Sequence, residues 1–182
     1  MRNLATYVSE LDGNGPGEFL RQHPFPVLVS NAALHPRVDL SAIRDRTEER
    51  DTSQAPESQG GVRLIDTDAM EEEPIVLELR PDMGTSPQRL DVGRSRQNHL
   101  CLPLPKISKF HASFTWSHDG REYYLVDAQS TNGSFVDGVR LVPGQKSRVL
   151  GGSEVRFGPY TFTFYAAAQF REYIERLLET IP

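Results

Sequence analysis

Four positively charged side chains lie in a stretch of the sequence that contains no carboxylate. Between Val92 and His118 there is neither Asp nor Glu, and the cations in this stretch are Arg94, Arg96, Lys106 and Lys109. The whole chain has a formal net charge of −5, so the sign is reversed locally. Cations close to hydroxyl donors such as Ser108 favour binding of an anion, for example a phosphate group, although a solvated basic surface would show the same composition.

Length and composition narrow the classes of protein to consider. The 182 residues are 37% hydrophobic and 25% charged and include a single Cys, which predicts one domain with extensions, or two small ones, without a disulfide framework. No apolar run reaches the roughly 18 residues of a membrane span, and the N-terminus lacks the apolar core of a secretory signal. The pI near 5.5 argues against duplex DNA as a partner. We therefore expect a cytoplasmic protein that binds neither nucleic acid nor membrane.

The chain before residue 74 divides into two regions. Leu4, Tyr7, Val8 and Leu11 have helical spacing, which predicts a helix over 2–12 that ends at the GNGPG sequence of 13–17. The apolar residues between 25 and 29 predict a strand or an extended arm, and together these elements form an N-terminal region, 1–43. Residues 44–73 are polar and acidic, with too few apolar side chains to repay the entropy of ordering, so we predict a flexible linker.

From residue 74 the sequence alternates with the period of β-strands. Short β-prone runs predict strands in the segments IVLELR, RLDVG, HLCL, HASFTW, YYLV, SFV, EVRF and YTFTFY. Turn pairs separate several of them, at 119–120, 132–133, 137–138 and 151–152, and Asn-Gly or Asp-Gly is the strongest hairpin signal. The predicted fold class is all-β: a β-sandwich over 74–165, followed by a C-terminal helix over 166–182 with one apolar face.

Three sequence motifs, each at a predicted strand boundary, resemble those of the forkhead-associated (FHA) domain. In chain order they are Gly93-Arg94, the sequence SKFHA from Ser108 to Ala112, and the sequence STNGS from Ser130 to Ser134, which is followed by Val136-Asp137-Gly138. The resemblance covers about residues 75–165. It implies an FHA-like β-sandwich that binds phosphothreonine peptides through the loops at one end.

The resemblance also implies roles for individual residues. Arg94 matches the arginine that contacts the phosphate, and its planar, permanently charged fork suits a dianion. Ser108 matches the serine whose hydroxyl donates to a phosphate oxygen, and Thr131 is expected to face the phosphate too. Lys109 supplies charge with less directional geometry than arginine. Asn132 matches the asparagine that hydrogen-bonds the main chain of the ligand, and it could also serve the turn by holding a positive φ before Gly133.

The remaining residues of the motif are expected to determine specificity or to support the loops. Lys106 lies where the family often reads the ligand residue three positions after the phosphothreonine, which suggests an acidic residue there. Gly93, His111 and Gly133 are expected to support the loops, His111 from beneath. Asn98-His99 departs from the Asn-Asp that is common in the family, and this Asp usually supports the loop.

An enzyme is not expected. A catalytic site could recruit Cys101, His99 and His111, but buried thiols in an apolar run such as LCLP are usually inert. The sequence contains no nucleophile elbow, P-loop or paired-carboxylate motif, and its five His residues lack metal-ligand spacing. We therefore predict no catalytic residue, no metal and no cofactor.

Two hypotheses about partners stay open at this point. The first is that the chain binds a phosphothreonine-containing protein, either a substrate of a Ser/Thr kinase or the kinase itself; the alternative is a phosphate-independent scaffold that assembles partners through its terminal helices. The second concerns Thr47, Thr52 and Thr67 in the acidic linker. If a kinase phosphorylated them, the linker could occupy the pocket of its own chain or of a neighbour.

Overall fold

Most of the predicted strands are present in the structure. The computed structural model describes residues 2–30, 44–45, 74–81, 89–117 and 121–180, with only the backbone of 44–45. In chain order the described elements are β1 (Arg2–Asn3), α1 (Leu4–Gln22), β2 (Val27–Ser30), β3 (Arg44–Asp45), β4 (Ile75–Glu78), β5 (Arg89–Gly93), β6 (Leu100–Cys101), β7 (Ala112–Trp116), β8 (Tyr123–Asp127), β9 (Ser134–Val136), β10 (Val139–Arg140), β11 (Lys146–Val149), β12 (Glu154–Phe157), β13 (Tyr160–Tyr165) and α2 (Ala167–Thr180).

The strands form two sheets that pack face to face. One sheet has the order β1-β4-β2-β13-β12-β9-β10 and the other has the order β11-β8-β7-β5-β6-β3. Side chains from both sheets meet in a core that includes Phe114, Trp116, Phe157, Phe162 and Phe164. The predicted all-β sandwich with terminal helices is confirmed.

A second core lies on the outer face of the seven-stranded sheet, where both helices cover the strands. Strand β2 is buried on both faces, because Leu28 belongs to the core between the sheets while Val27 and Val29 contact the helices. Burial on both faces explains why its sequence is a continuous apolar run rather than an alternation. The helices contribute Tyr7, Phe19, Phe170 and Ile174, each at most 1% exposed.

Helix α1 contains the break that the sequence predicted. Gly15 adopts φ 74° and ψ 165°, which interrupts the helical backbone, and Pro16 follows it at the start of a second helical segment that reaches Gln22. A proline is favoured at the first position of a helix because it lacks the N–H that would stay unpaired there. The prediction of a helix over 2–12 omitted this second segment.

A buried histidine joins the N-terminal helix to the sandwich. Nδ1 of His23 lies 2.8 Å from a carboxylate oxygen of Glu78, and Nε2 lies 2.9 Å from one of Glu10. Both ring nitrogens therefore lie within hydrogen-bonding distance of a carboxylate oxygen. The Tyr7 hydroxyl also donates to Glu78, at 3.0 Å. Burial raises the pKa of Glu78, but hydrogen bonds from His23 and Arg80 outweigh it and lower that pKa.

The N-terminal arm is a central part of the sheet. Strand β2 pairs with both β4 and β13, so the seven-stranded sheet includes residues from before the predicted sandwich boundary at 74. Residues 44–45, predicted as part of the linker, pair with β6. The rest of the linker, its three threonines, the turn at 119–120 and Ile181 lie outside the described residues. Among the described helices, none is long and apolar enough to span a membrane.

Candidate phosphopeptide-binding site

The three motifs meet at one end of the six-stranded sheet. Ala112 at the start of β7 is paired with Val92 near the end of β5 and with Asp127 at the end of β8. The residues that follow β5, precede β7 and follow β8 therefore leave the sheet at the same edge. The sandwich brings together loops that are up to about forty residues apart in the chain, as the motif order led us to expect.

Arg94, Ser108 and Thr131 lie together at the tips of these loops. The Ser108 hydroxyl oxygen lies 3.4 Å from the Thr131 hydroxyl oxygen and accepts a hydrogen bond from the Thr131 backbone N–H at 3.1 Å. Arg94 forms two hydrogen bonds to the loop that contains Ser108. Its backbone N–H donates to the Ser108 carbonyl at 2.8 Å, and its Nε donates to the Ile107 carbonyl at 3.2 Å. Arg94 and Thr131 are exposed and Ser108 is half-buried, so a ligand can reach all three.

Asn132, Lys106 and Lys109 lie beside this group. The Asn132 side-chain amide donates to the Lys106 carbonyl at 2.7 Å, which uses one amide hydrogen and orients the side chain at the surface. Lys106 has an unusual positive φ of 65°. The Lys109 side chain is exposed, and its carbonyl accepts a hydrogen bond from Asn98. The positive φ expected at Asn132 is found instead at Gly133, with φ 80°, so the turn role assigned to Asn132 was wrong.

The cations of this surface form no ion pair with a carboxylate of the described residues. They are Arg94, Arg96, Lys106 and Lys109. Positive charges without counter-ions beside hydroxyl and amide donors suit a doubly charged anion such as a phosphate monoester. We therefore regard Arg94, Ser108, Lys109, Thr131 and Asn132 at the loop tips as a candidate anion cradle.

His111 connects two of the three loops from below. It is fully buried; Nδ1 accepts the Ser108 backbone N–H at 3.1 Å, and Nε2 faces the Gly133 carbonyl at 3.2 Å. An acceptor at Nδ1 requires the proton of the neutral ring to be on Nε2, which then donates to Gly133. Because both nitrogens are used in this way, the histidine positions Ser108 and Gly133. Its support of a binding site stays a prediction.

Gly93 and Asn98 hold the Arg94 loop against the Lys109 loop. A Cβ atom at Gly93 would overlap the Lys109 carbonyl oxygen and would lie 2.9 Å from Asn98 Nδ2, so only glycine fits this close approach. Asn98 is 1% exposed, and its amide donates to the carbonyls of Ser95 at 2.8 Å and Lys109 at 2.6 Å. His99, which replaces the family's Asp, accepts the Asp91 backbone N–H at 3.0 Å.

Asp127 is a supporting residue that the sequence reasoning missed. Its carboxylate accepts hydrogen bonds from the Ser130 N–H at 3.0 Å, the Ser130 hydroxyl at 2.6 Å and the Ser134 hydroxyl at 2.7 Å. Burial raises the pKa of Asp127, but these bonds outweigh it and lower the pKa. An Asp three residues before a Ser, at the end of a strand, is typical of such a turn and could have identified Asp127 from the sequence.

The stability of the cradle is expected to depend on pH through His111. Burial lowers the pKa of His111, opposed by the Gly133 carbonyl and Asp127. The folded pKa is thus below the unfolded value of about 6.5, so this contribution to stability is complete above about pH 6.5 and is lost as the pH falls through the folded pKa. We expect the free energy of unfolding, measured with urea, to fall from pH 7.5 to 5.

The control is the variant His111→Gln, which cannot titrate. Its free energy of unfolding should fall less over the same range, and the difference between the two curves is the contribution of His111. Parallel curves for the two proteins would contradict the assignment.

Comparison with known proteins agrees with the motifs. The FHA domain family model matches residues 90–158. The human protein "Angiogenic factor with G patch and FHA domains 1" is 34% identical over 80 residues, which are 41% of this chain and 11% of that protein. Human kanadaptin is 33% identical over 81 residues, which are 40% of this chain and 11% of that protein. The chain thus spans about a tenth of the length of these relatives.

A search of solved structures finds similar folds. The N-terminal FHA domain of Rad53p from S. cerevisiae, solved in complex with a phosphothreonine peptide, is 18% identical and aligns over 54% of this chain and 90% of that domain, with a TM-score of 0.46. The similarity rests on the match of the family model and on the three motifs at one end of a two-sheet sandwich. Over residues 90–158, the sandwich of this chain is similar to the FHA domain family.

Proposed function

We propose that the FHA-like sandwich of this chain is a phosphorylation-dependent binding module that recognises phosphothreonine peptides. The observation that carries the proposal is the grouping of Arg94, Ser108 and Thr131, whose donors lie at adjacent loop tips and pair with no carboxylate of the described residues. The guanidinium would pair with the phosphate dianion, and the hydroxyls and the Thr131 N–H would donate to its oxygens. Lys109 would add charge, and Asn132 would hydrogen-bond the main chain of the peptide.

The expected affinity is suited to reversible signalling. Charge-assisted hydrogen bonds contribute about 1.5–3 kcal/mol each. Three or four of them, offset by the cost of ordering a flexible peptide, correspond to a dissociation constant on the order of micromolar. A niche for the γ-methyl would favour threonine over serine by about 1–3 kcal/mol. The partner would be a phosphothreonine-containing protein, a kinase substrate or a kinase, and we propose the cytoplasm as the place of action.

The alternative, a phosphate-independent scaffold that assembles partners through its terminal helices, has less support. The apolar residues of α1 and α2, including Leu4, Leu11, Phe170 and Ile174, are buried against the sheet of the same chain. Such side chains are not available to a partner unless the helices detach. A binding module that uses its loops is therefore the better proposal.

Peptide libraries distinguish the two functions. The full chain is titrated with matched sets of peptides that contain phosphothreonine, phosphoserine or unmodified threonine, followed by fluorescence anisotropy. We expect binding to phosphothreonine peptides, weaker binding to phosphoserine peptides and none to threonine peptides. Equal binding to phosphorylated and unmodified peptides would support the scaffold and refute the proposal.

A further inference from the structure

Two arginines lie on either side of one phenylalanine on the outer face of the seven-stranded sheet. Phe135 in β9 is paired with Arg140 in β10 and with Arg156 in β12, so the three side chains share one face of the sheet. The Arg156 Cζ lies 3.5 Å from the centroid of the Phe135 ring, and the Arg140 Cζ lies 6.0 Å from it. Contact with the ring orders a guanidinium while leaving its N–H groups free to donate.

This arginine pair is continuous with the candidate cradle. A Cβ atom at Gly133 would lie 2.7 Å from Arg140 Nε, so the Arg140 side chain rests on the backbone directly after Asn132. On the other side, Arg156 Nη1 donates to the Gly158 carbonyl at 3.0 Å. A Cβ atom at Gly158 would in turn lie 3.3 Å from the Asn132 Cβ. Arg140 thus contacts Gly133 and Arg156 contacts Gly158, and each of these glycines is next to Asn132.

The pair has no counter-ion within the described ranges. Neither Arg140 nor Arg156 forms an ion pair with a carboxylate there. Asp137 lies two residues after Phe135, and Glu154 lies two residues before Arg156. Both are therefore on the same face of the sheet as the arginines. The Asp137 carboxylate is already bonded to the Glu154 N–H at 2.8 Å and to the Ser153 hydroxyl at 3.0 Å. Two guanidinium groups that flank one ring and form no ion pair with a described carboxylate are suited to binding an external anion.

We propose that Arg140 and Arg156 form a second anion subsite, which binds an acidic group of the same peptide that places its phosphothreonine in the cradle. The acidic group is a carboxylate or a second phosphate, since a guanidinium recognises both in the same way. This inference rests on the proposed function. It also assigns part of the acidic preference to a sheet face rather than to Lys106 alone.

The test uses the wild-type chain and phosphothreonine peptides that differ in one flanking residue. The residue is Gln, Glu, Lys or a second phosphothreonine, placed in turn at each of the four positions on either side, and binding is measured by anisotropy at constant ionic strength. At one or more positions we expect an acidic residue to strengthen binding by about threefold or more and Lys to weaken it. A response to Glu identifies a carboxylate subsite; a response only to the second phosphate identifies a phosphate subsite.

Variants then assign the preference to the arginine pair. Arg140→Gln should remove most of the acidic preference and leave binding of the Gln-flanked peptide within about twofold. Arg140→Lys, which keeps the charge, should retain part of it. The matched control is Arg21→Gln, which removes the same charge from an arginine on α1 whose side chain is 75% exposed. Thermal unfolding of each variant confirms that it is folded.

The outcomes separate the two proposals. If the wild-type chain binds the Gln-flanked phosphothreonine peptide but shows no acidic preference, only the subsite is refuted. The same holds if the preference persists unchanged in Arg140→Gln, since Lys106 would then account for it. If the wild-type chain binds none of the phosphothreonine peptides, the proposed function fails and the subsite with it.

Discussion

Replacing Arg94 by alanine is expected to weaken binding of a phosphothreonine peptide by at least about tenfold, which corresponds to roughly 1.5 kcal/mol. The guanidinium is the group in the cradle that is permanently charged and can present two parallel donors to a phosphate. Its Nε–H donates to the Ile107 carbonyl, which holds the side chain beside Ser108. Because Arg94 is exposed, its removal should leave the free energy of unfolding within about 0.5 kcal/mol of the wild type.

Two further variants sharpen this experiment. Arg94→Lys keeps the charge but not the planar fork, so we expect an affinity between those of the wild type and Arg94→Ala. Arg89→Ala is the matched control, because Arg89 is at the start of β5, the strand that directly precedes Arg94, its side chain is 57% exposed, and it pairs with Asp91. Isothermal titration calorimetry with one phosphopeptide gives all four affinities. An unchanged affinity for Arg94→Ala would refute the assignment of the cradle.

Replacing Phe170 by alanine is expected to destabilise the chain by about 3–5 kcal/mol. Phe170 is 1% exposed and packs edge-to-face against Tyr7 with 5.3 Å between ring centroids; Phe19 is 6.2 Å away. Its removal would leave a cavity between both helices and the outer face of the sheet. The melting temperature should fall by roughly 6–20 °C. Since the cradle is on the loops, phosphopeptide affinity of the folded variant should not change.

Two spectroscopic probes show whether the helices and the sandwich unfold together. The single tryptophan, Trp116, lies in the core between the sheets, so its fluorescence reports on the sandwich, whereas circular dichroism at helical wavelengths reports on α1 and α2. We expect both urea transitions to coincide and to shift together in Phe170→Ala, because β2 contributes to both cores. Phe110→Ala is the control: Phe110 is 53% exposed, and a change of at most about 0.5 kcal/mol is expected. A shift in the dichroism alone would contradict this prediction.

Strands and turns were predicted well where the sequence shows a clear pattern, such as alternating apolar residues or an Asp-Gly pair. The alternating runs from residue 75 onward became strands, and the Asp137-Gly138 pair forms a tight turn in which both residues have positive φ, 49° and 78°. Strand β11 was missed because its sequence KSRV lacks the apolar alternation of a strand. It pairs along β8 with one of its four residues buried, so its conformation depends on backbone hydrogen bonds to a neighbour.

In the candidate site, too, some residues could be predicted from the sequence and others could not. The motifs predicted Arg94, Ser108, Lys109, Thr131 and Asn132 together, because each motif is short and local in the chain. Some of the residues that hold these side chains in place were not predicted from the sequence. Asn98 acts through a hydrogen bond to Lys109, which becomes its neighbour only when the two loops leave the same end of the sheet. Asp127 instead bonds Ser130 and Ser134 of its own turn and could have been identified from the local sequence.

The sequence by itself determined the two-sheet fold, the loops that carry the candidate cradle and the sign of their charge. These properties depend on residue type and on spacing within a few positions. Only the tertiary structure decided that β2 lies between β4 and β13, that His23 bridges Glu10 and Glu78, and that two arginines flank Phe135. Those contacts depend on strand order and register, which arise from the packing of the whole sandwich rather than from any local pattern.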